Sequence, residues 1–160
     1  MASTVAPRAA PELLVVHMST IPSQEPGPAS VLLEMQLVRP PAVGTWAPLA
    51  SATPVAGATG QVWWSDEGLP ARASGAEIVS APSILALPDQ DASMTVGEAE
   101  GGGAWSGIEI RVTPTFVANE VRLVLTYRKL EGGRVVSSVP ETTLQGPSGR
   151  TFFVQAGTTL

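Results

Sequence analysis

Acid–base chemistry in this chain would depend on its one histidine. His17 lies inside the apolar run Leu-Leu-Val-Val-His-Met. The 160 residues include no cysteine, which excludes thiolate nucleophiles, thiolate metal ligands and disulfides. No Gly-x-Ser-x-Gly turn is present, and the segment from Gly146 to Gly149 has the composition of an ordinary turn instead. We therefore predict a hydrogen-bonded strand histidine rather than a catalytic base, and a protein that is not an enzyme.

Acidic side chains gather in one segment, where Asp89, Asp91, Glu98 and Glu100 lie close in sequence. Calcium prefers clustered oxygen ligands of this kind. Met94, however, occupies the position at which an EF-hand loop requires glycine, so a solvated turn is favoured. Two carboxylates could also serve glycoside hydrolysis, although the spacing favours no particular pair. We predict no metal site and no cofactor.

The sequence gives little indication of a site that binds phosphate or nucleic acid. The run Gly101 to Gly103 lacks the Gly-Lys-Ser/Thr ending of a phosphate-binding loop and precedes no helical pattern, which favours a flexible link between strands. The formal net charge is −5 and Lys129 is the only lysine. Binding of nucleic acid through phosphate neutralisation is therefore not expected, nor is electrostatic attachment to anionic lipid.

Four tryptophans stand out in a chain with one tyrosine and three phenylalanines. If Trp63 and Trp64 lie on a strand, their side chains point to opposite faces, so one can enter the core while the other is exposed or covered by a partner. Tryptophan is enriched at interface hot spots. Core packing alone and a partner interface both stay open, with carbohydrate stacking as a further alternative. The candidate interface residues are Trp46, Trp63, Trp64 and Trp105.

The composition favours short strands joined by turns. Hydrophobic residues make up 44% of the chain and charged residues only 14%, and there are 16 glycines and 15 prolines. We predict a mainly β fold in which antiparallel hairpins form a two-layer or partly closed sheet, with at most one short helix. Residues 1–11 are predicted to be a flexible tail, and residues 12–160 a single domain. No apolar run is long enough for a transmembrane helix.

Alternation of apolar and polar residues predicts the individual strands. In Val31–Arg39, for example, Leu33, Met35 and Leu37 share one side. Two hairpins are expected, one over residues 77–99 around Pro-Asp-Gln-Asp and one over residues 141–155 around Gly-Pro-Ser-Gly. Pro114 is expected to close its strand. The remaining predicted strands are Leu13–Met18, Gln61–Trp64, Gly107–Thr115, Val121–Lys129 and Val135–Val139.

Four blocks, in order, resemble the core of the secretin family, the ring-forming outer-membrane channel subunits of bacterial secretion systems. Val31–Val38 is similar to the strand that opens that core. Ile78–Glu98 carries a Ser-x-Pro strand, a polar turn and a strand leading to Val-Gly-Glu. Gly107–Thr126 is similar to the family's Val-Thr-Pro strand with its partner, and Glu141–Gly157 to its closing segment. The link from Ala99 to Ser106 is too short for the membrane-crossing and gate hairpins of secretins.

This resemblance implies a reduced secretin-like core that acts as a structural subunit. The few charges leave strand edges unprotected, so we expect self-association, or docking onto a larger complex, through sheet edges and apolar faces. The expected partners are proteins, including further copies of the chain. The alternative is a β-sandwich module that binds glycan or peptide through exposed tryptophans. The chain shows no signal peptide, which implies the cytoplasm, or the bacterial cell envelope if a leader was removed.

Overall fold

Residues 12–23, 29–40, 46–55, 62–67, 76–99 and 101–158 are described by a computed structural model of the chain. The prediction of a mainly β fold in two layers, with one short helix, is confirmed. The predicted tail, residues 1–11, lies outside the described residues. The elements are β1 Leu13–Ile21, β2 Ser30–Arg39, α1 Ala47–Ala50, β3 Thr53–Pro54, β4 Val62–Ser65, β5 Glu77–Ser80, β6 Ser83–Ala86, β7 Ala92–Ala99, β8 Trp105–Val117, β9 Glu120–Glu131, β10 Arg134–Pro147, β11 Thr151–Gln155 and β12 Gly157–Thr158.

The strands form two antiparallel sheets. The first sheet has the order β3-β4-β11-β1-β2-β5, and β6 also pairs with β2, next to the stretch that β5 occupies. The second sheet has the order β12-β10-β9-β8-β7. The chain therefore enters the first sheet, moves to the second for the run from β7 to β10, returns to the first with β11, and ends with β12 beside β10 in the second.

One apolar core lies between the sheets, because alternate residues of each strand point inward. On β2 the inward side chains are Leu33, Met35 and Leu37, as the alternation predicted. The second sheet contributes the inward residues of β8 and β9, which include Ile110, Leu123, Leu125 and Tyr127.

A second apolar cluster covers the outer face of the first sheet. Leu13 and Val15 of β1 are fully buried there because α1 and its flanking residues lie over them. Trp46 and Leu49 supply this cover, and Phe153 of β11 joins it. The first sheet is consequently apolar on both faces.

The predicted hairpin over residues 77–99 is wrong. Its first half is two strands, β5 and β6, which both pair with β2 in the first sheet, while β7 pairs with β8 in the second. The chain changes sheets at the turn after β6, where Pro88 lacks a backbone donor and Asp89 adopts a φ of 62°. Ile84 and Ala86 are buried in the core from one sheet, and Met94 contacts the same core from the other.

The predicted hairpin over residues 141–155 is also wrong, for a similar reason. The strand before the turn is one continuous strand, β10, which pairs with β9, whereas β11 pairs with β1 and β4. Register shifts between Val135 and Ser137 and between Val139 and Thr142 let β10 continue past Pro140. The turn after Pro147 carries the chain back to the first sheet.

Pro114 does not end its strand, contrary to expectation. Its carbonyl accepts a hydrogen bond from the amide of Asp89 at 2.7 Å, so its backbone polar groups face the turn that precedes β7. The register places Ala92, the first residue of β7, opposite Val112. The pairing of β7 with β8 thus ends before Pro114, and no other described strand takes its place there. The N–H that proline lacks would therefore have had no partner strand.

The turns predicted on either side of β9 are confirmed. The turn between β8 and β9 is Ala118-Asn119, with Ala118 at a φ of 55°. In the turn between β9 and β10, Gly132 and Gly133 have φ values of 56° and 80°. Two successive positive φ values match the twist of paired strands, which explains why two glycines stand there.

Candidate functional site

The adjacent tryptophans point to opposite faces of β4, as predicted. Trp63 contacts the outer cluster of the first sheet, and Trp64 contacts the core between the sheets. The guanidinium carbon of Arg150 lies 3.7 Å from the ring centre of Trp64, and the Arg150 Nε donates to Asp66 at 3.1 Å. The Arg150 side chain therefore covers one face of the Trp64 ring.

Trp46 belongs to the cover of the first sheet. Its ring meets that of Phe153 edge to face, with centroids 5.9 Å apart, and only 2% of the residue is exposed. The indole N–H finds no hydrogen-bond partner in the described part of the chain. Packing in the outer cluster is therefore sufficient to explain why a tryptophan stands at position 46.

Trp105 lies at the other sheet and in a different setting. It opens β8, and its sequence parity places it on the outer face with Gly107 and Glu109. A Cβ added to Gly97 or to Gly107 would come within 2.6 or 2.9 Å of the indole Cζ2 atom. The Cζ2 atom of the six-membered ring therefore lies against this cross-strand glycine pair, where no side chain intervenes.

Beside this ring, the outer face of the second sheet holds a shallow depression of about 390 Å³. Its cross-strand rows follow from the register: Thr95, Glu109 and Arg128 form one row, and Ser93, Arg111 and Thr126 form the next. Three hydroxyls, two guanidinium groups and one carboxylate thus share one open surface.

Electrostatics distinguish the two arginines of the depression. The Arg128 guanidinium donates to the Glu109 carboxylate across the sheet, which neutralises both. The side chain of Arg111 is exposed, and its guanidinium makes no hydrogen bond or ion pair with any described residue. Asp91 lies one row beyond Ser93 and accepts a hydrogen bond from Thr113. Among the residues that line the depression, Arg111 is therefore the arginine without a carboxylate partner.

The edge strand β7 borders the same depression. Among the described residues no strand pairs with its far side. Alternate residues of an antiparallel strand point their backbone groups to the same side. Since Pro114 faces the β7 side of β8, the even-numbered residues of β7 bond to β8. The odd-numbered residues, from Ser93 to Ala99, point their N–H and C=O groups outward.

His17 lies on β1 and its ring is hydrogen-bonded, as predicted. The Thr151 hydroxyl donates to the carbonyl of Glu67 at 2.8 Å and lies 2.8 Å from His17 Nδ1. Because its proton goes to that carbonyl, the hydroxyl accepts from His17, which places the histidine proton on Nδ1. The ring thereby joins β1 to β11.

A buried charged cluster joins the two sheets at one end. Glu12 is 9% exposed, and its Oε2 lies 3.1 Å from both Arg39 and Lys129. Nearby, burial and then the negative charge of Glu12 raise the pKa of Tyr127. With Glu77 on the far side of Arg39, positive and negative charges balance, as in a structural ion-pair network.

The described residues contain no group of three or more histidine, aspartate or glutamate side chains able to hold a metal ion. Within the same part of the chain, no helix has the length and apolar character needed to cross a bilayer.

Comparisons with protein-family models, with curated proteins and with solved structures gave no match for this chain. The likeness to secretins therefore stays a prediction, as does a partner interface at the four tryptophans.

The depression with Arg111 was missed by the sequence reasoning. A single arginine in an alternating strand is indistinguishable from a solvated residue. A usable signal was present, however, in the shared parity of Trp105, Gly107, Glu109 and Arg111, which puts all four on one face.

Proposed function

We propose that the protein is a structural subunit that self-associates, or docks onto a larger complex, by adding a strand to the edge of β7. The observation that carries this proposal is the outward row of backbone groups on an eight-residue strand. An edge of this kind is a template for pairing with another chain. The work is done by backbone hydrogen bonds and apolar contact, and no catalytic group is required.

The other described edges carry features that hinder pairing. β3 has two residues, one of them Pro54, and the edge formed by β5 and β6 is interrupted at Pro82. Where β10 runs past the two residues paired with β12, it contains Pro140 and Pro147. β7 contains neither proline nor a basic residue. Proline and lysine are the common protection of natural edges, so β7 is distinguished by lacking both.

An apolar side chain on this edge strand supports the proposal. Val96 of β7 is 45% exposed. A second strand against β7 would bury part of this surface, which favours association. The resemblance of four sequence blocks to the secretin core, a family of assembling subunits, is a separate line of support.

Light scattering after size exclusion, over a concentration series, tests the proposal. Thr95→Pro removes one outward N–H and no bond to β8, because the Thr95 amide faces away from that strand. Thr95→Val is the matched control, since it keeps the N–H and the size of the side chain. We expect wild type and Thr95→Val to form the same multimer and Thr95→Pro to shift toward the mass of one chain.

The fold of each variant is checked by circular dichroism and thermal unfolding. A wild-type chain that stays monomeric at every concentration would contradict the proposal. So would a folded Thr95→Pro variant that forms the wild-type multimer with unchanged affinity.

A further inference from the structure

We propose that the outer face of the second sheet binds an acidic oligosaccharide, with Trp105 stacking on a sugar ring and Arg111 pairing with a uronate carboxylate. This inference is independent of the association of β7. It starts from different groups, the side chains of the sheet face rather than the backbone of its edge.

The tryptophan supplies a platform. Its ring lies over the pair formed by Gly97 and Gly107, where neither residue has a side chain to lift it from the sheet. Trp105 is half-buried, so contact with the sheet still leaves part of the residue accessible. A partly exposed indole favours contact with the apolar C–H face of a pyranose ring, which buries carbon while the sugar hydroxyls stay hydrated.

The hydroxyl-bearing side chains suit the rest of a sugar. Ser93, Thr95 and Thr126 line the depression, and each hydroxyl can both donate and accept a hydrogen bond. Sugar hydroxyls have the same dual capacity. Six of the eight lining residues are polar or charged, and an open surface of this kind suits a ligand that keeps much of its hydration.

The charge of the depression favours an acidic sugar over a neutral one. Its lining includes Arg111, Arg128 and Glu109, a net charge of +1, on a chain whose formal net charge is −5. Arg128 is already paired with Glu109. The guanidinium of Arg111 is left to bind a carboxylate, and its fork allows two parallel hydrogen bonds.

The spacing favours more than one sugar ring. The indole sits above Gly107, and Arg111 is four residues further along β8. At the rise of an antiparallel strand, this is about 14 Å. A ligand that stacks at one end and presents a carboxylate at the other must therefore be extended, as in a short oligouronate.

Calorimetric titration with a panel of matched sugars tests the inference. The panel contains trigalacturonate, a trimer of mannuronate and a hyaluronan fragment, each beside its methyl ester, which keeps the rings and removes the charge. We expect at least one acid to bind about tenfold or more tightly than its ester, as befits a charge-assisted hydrogen bond.

Substitutions assign the two roles. Arg111→Gln is expected to abolish the preference for acid over ester, while Arg134→Gln, at the exposed arginine that begins β10, leaves it unchanged. Trp105→Ala is expected to weaken acid and ester equally, and Trp105→Phe to retain part of the affinity. Thermal unfolding confirms that each variant is folded.

Several outcomes would overturn the inference. Equal binding of acid and ester would remove the role of Arg111, and an equal loss in Arg134→Gln would indicate general charge attraction. Absence of binding to the whole panel at millimolar concentration would exclude the ligand class. Binding of an acidic peptide in place of every sugar, with the same dependence on Arg111, would assign the face to a protein partner instead.

Discussion

The outer faces of the two sheets are built in opposite ways. On the first sheet, Leu13, Val15 and Phe153 are apolar and buried beneath the chain's own segment around Trp46. On the second sheet, the outer positions of β8 from Glu109 to Thr115 are charged or hydroxyl-bearing, and the depression beside Trp105 is open.

The sequence of each strand explains the difference. β1 begins with four consecutive apolar residues, so both of its faces must be covered from water. β8 alternates, with Ile108, Ile110 and Val112 inward and Glu109 and Arg111 outward, so its outer face needs no cover. The protein covers the apolar outer face of the first sheet with its own residues, whereas the polar outer face of the second sheet and the edge of β7 are left uncovered by the described residues.

The largest expected effect comes from a comparison of Trp46, on the outer face of the first sheet, with Trp105, on the outer face of the second. Trp46→Ala removes a buried ring and opens the apolar face, which we expect to lower the free energy of unfolding by about 3–5 kcal/mol. Trp105→Ala removes a half-buried ring from an open face, and a loss of about 1 kcal/mol is expected. Urea unfolding followed by far-ultraviolet circular dichroism measures both. Equal losses would show that the two faces do not differ in this way.

A smaller effect is expected at the seat of Trp105. In Gly97→Ala the new Cβ would lie 2.2 Å from the carbonyl oxygen of Ser106 and 2.6 Å from the indole. The ring and the strand must shift, at a cost of about 1–3 kcal/mol. Gly101→Ala is the matched control, because nothing lies within 4 Å of its Cβ position. Chemical denaturation of both variants tests the close packing, and similar stabilities would refute it.

The core between the two sheets contains a tyrosine whose burial can be tested by the pH dependence of stability. Tyr127, the only tyrosine, is fully buried, and burial followed by the charge of Glu12 raises its pKa. A raised folded pKa means that its contribution to stability is complete below the unfolded pKa of about 10 and declines at higher pH. We expect tyrosinate absorbance to appear together with unfolding, and Tyr127→Phe to lose this part of the alkaline decline. Ionisation near pH 10 in a chain that remains folded would contradict the burial of this group.

Local patterns were sufficient to predict strands and tight turns. The strict alternation of β8 and β9 fixed their inward faces, and the glycine pair at positions 132 and 133 fixed the turn after β9. In each case the signal lies in a few neighbouring residues, whose conformational preferences or parity decide the outcome.

Strand partners could not be predicted in the same way. Both wrong hairpins surround a turn with proline, at Pro88 and at Pro147, and at both the chain crosses from one sheet to the other. Alternation gives the same pattern whether consecutive strands pair or face each other across a core. The choice depends on distant partners such as β2 and β1, which the local sequence does not specify.

The candidate site was predictable in part. Strand parity correctly separated Trp63 from Trp64, but it could not show that the segment around Trp46 covers one of them. The pairing of Gly97 with Gly107 beneath Trp105 required the register of β7 on β8. Arg111 became distinctive only when its neighbour Arg128 proved to be paired with Glu109.

Amide hydrogen exchange along β7, measured by NMR at increasing protein concentration, tests the central claim of edge pairing most directly. The outward amides of Ser93, Thr95 and Gly97 are expected to exchange fast in dilute solution and to become protected as the chain associates. The amides of Met94 and Val96, which bond to β8, are expected to be protected at every concentration. Outward amides that still exchange fast in a multimer, or a chain that never associates, would contradict the claim.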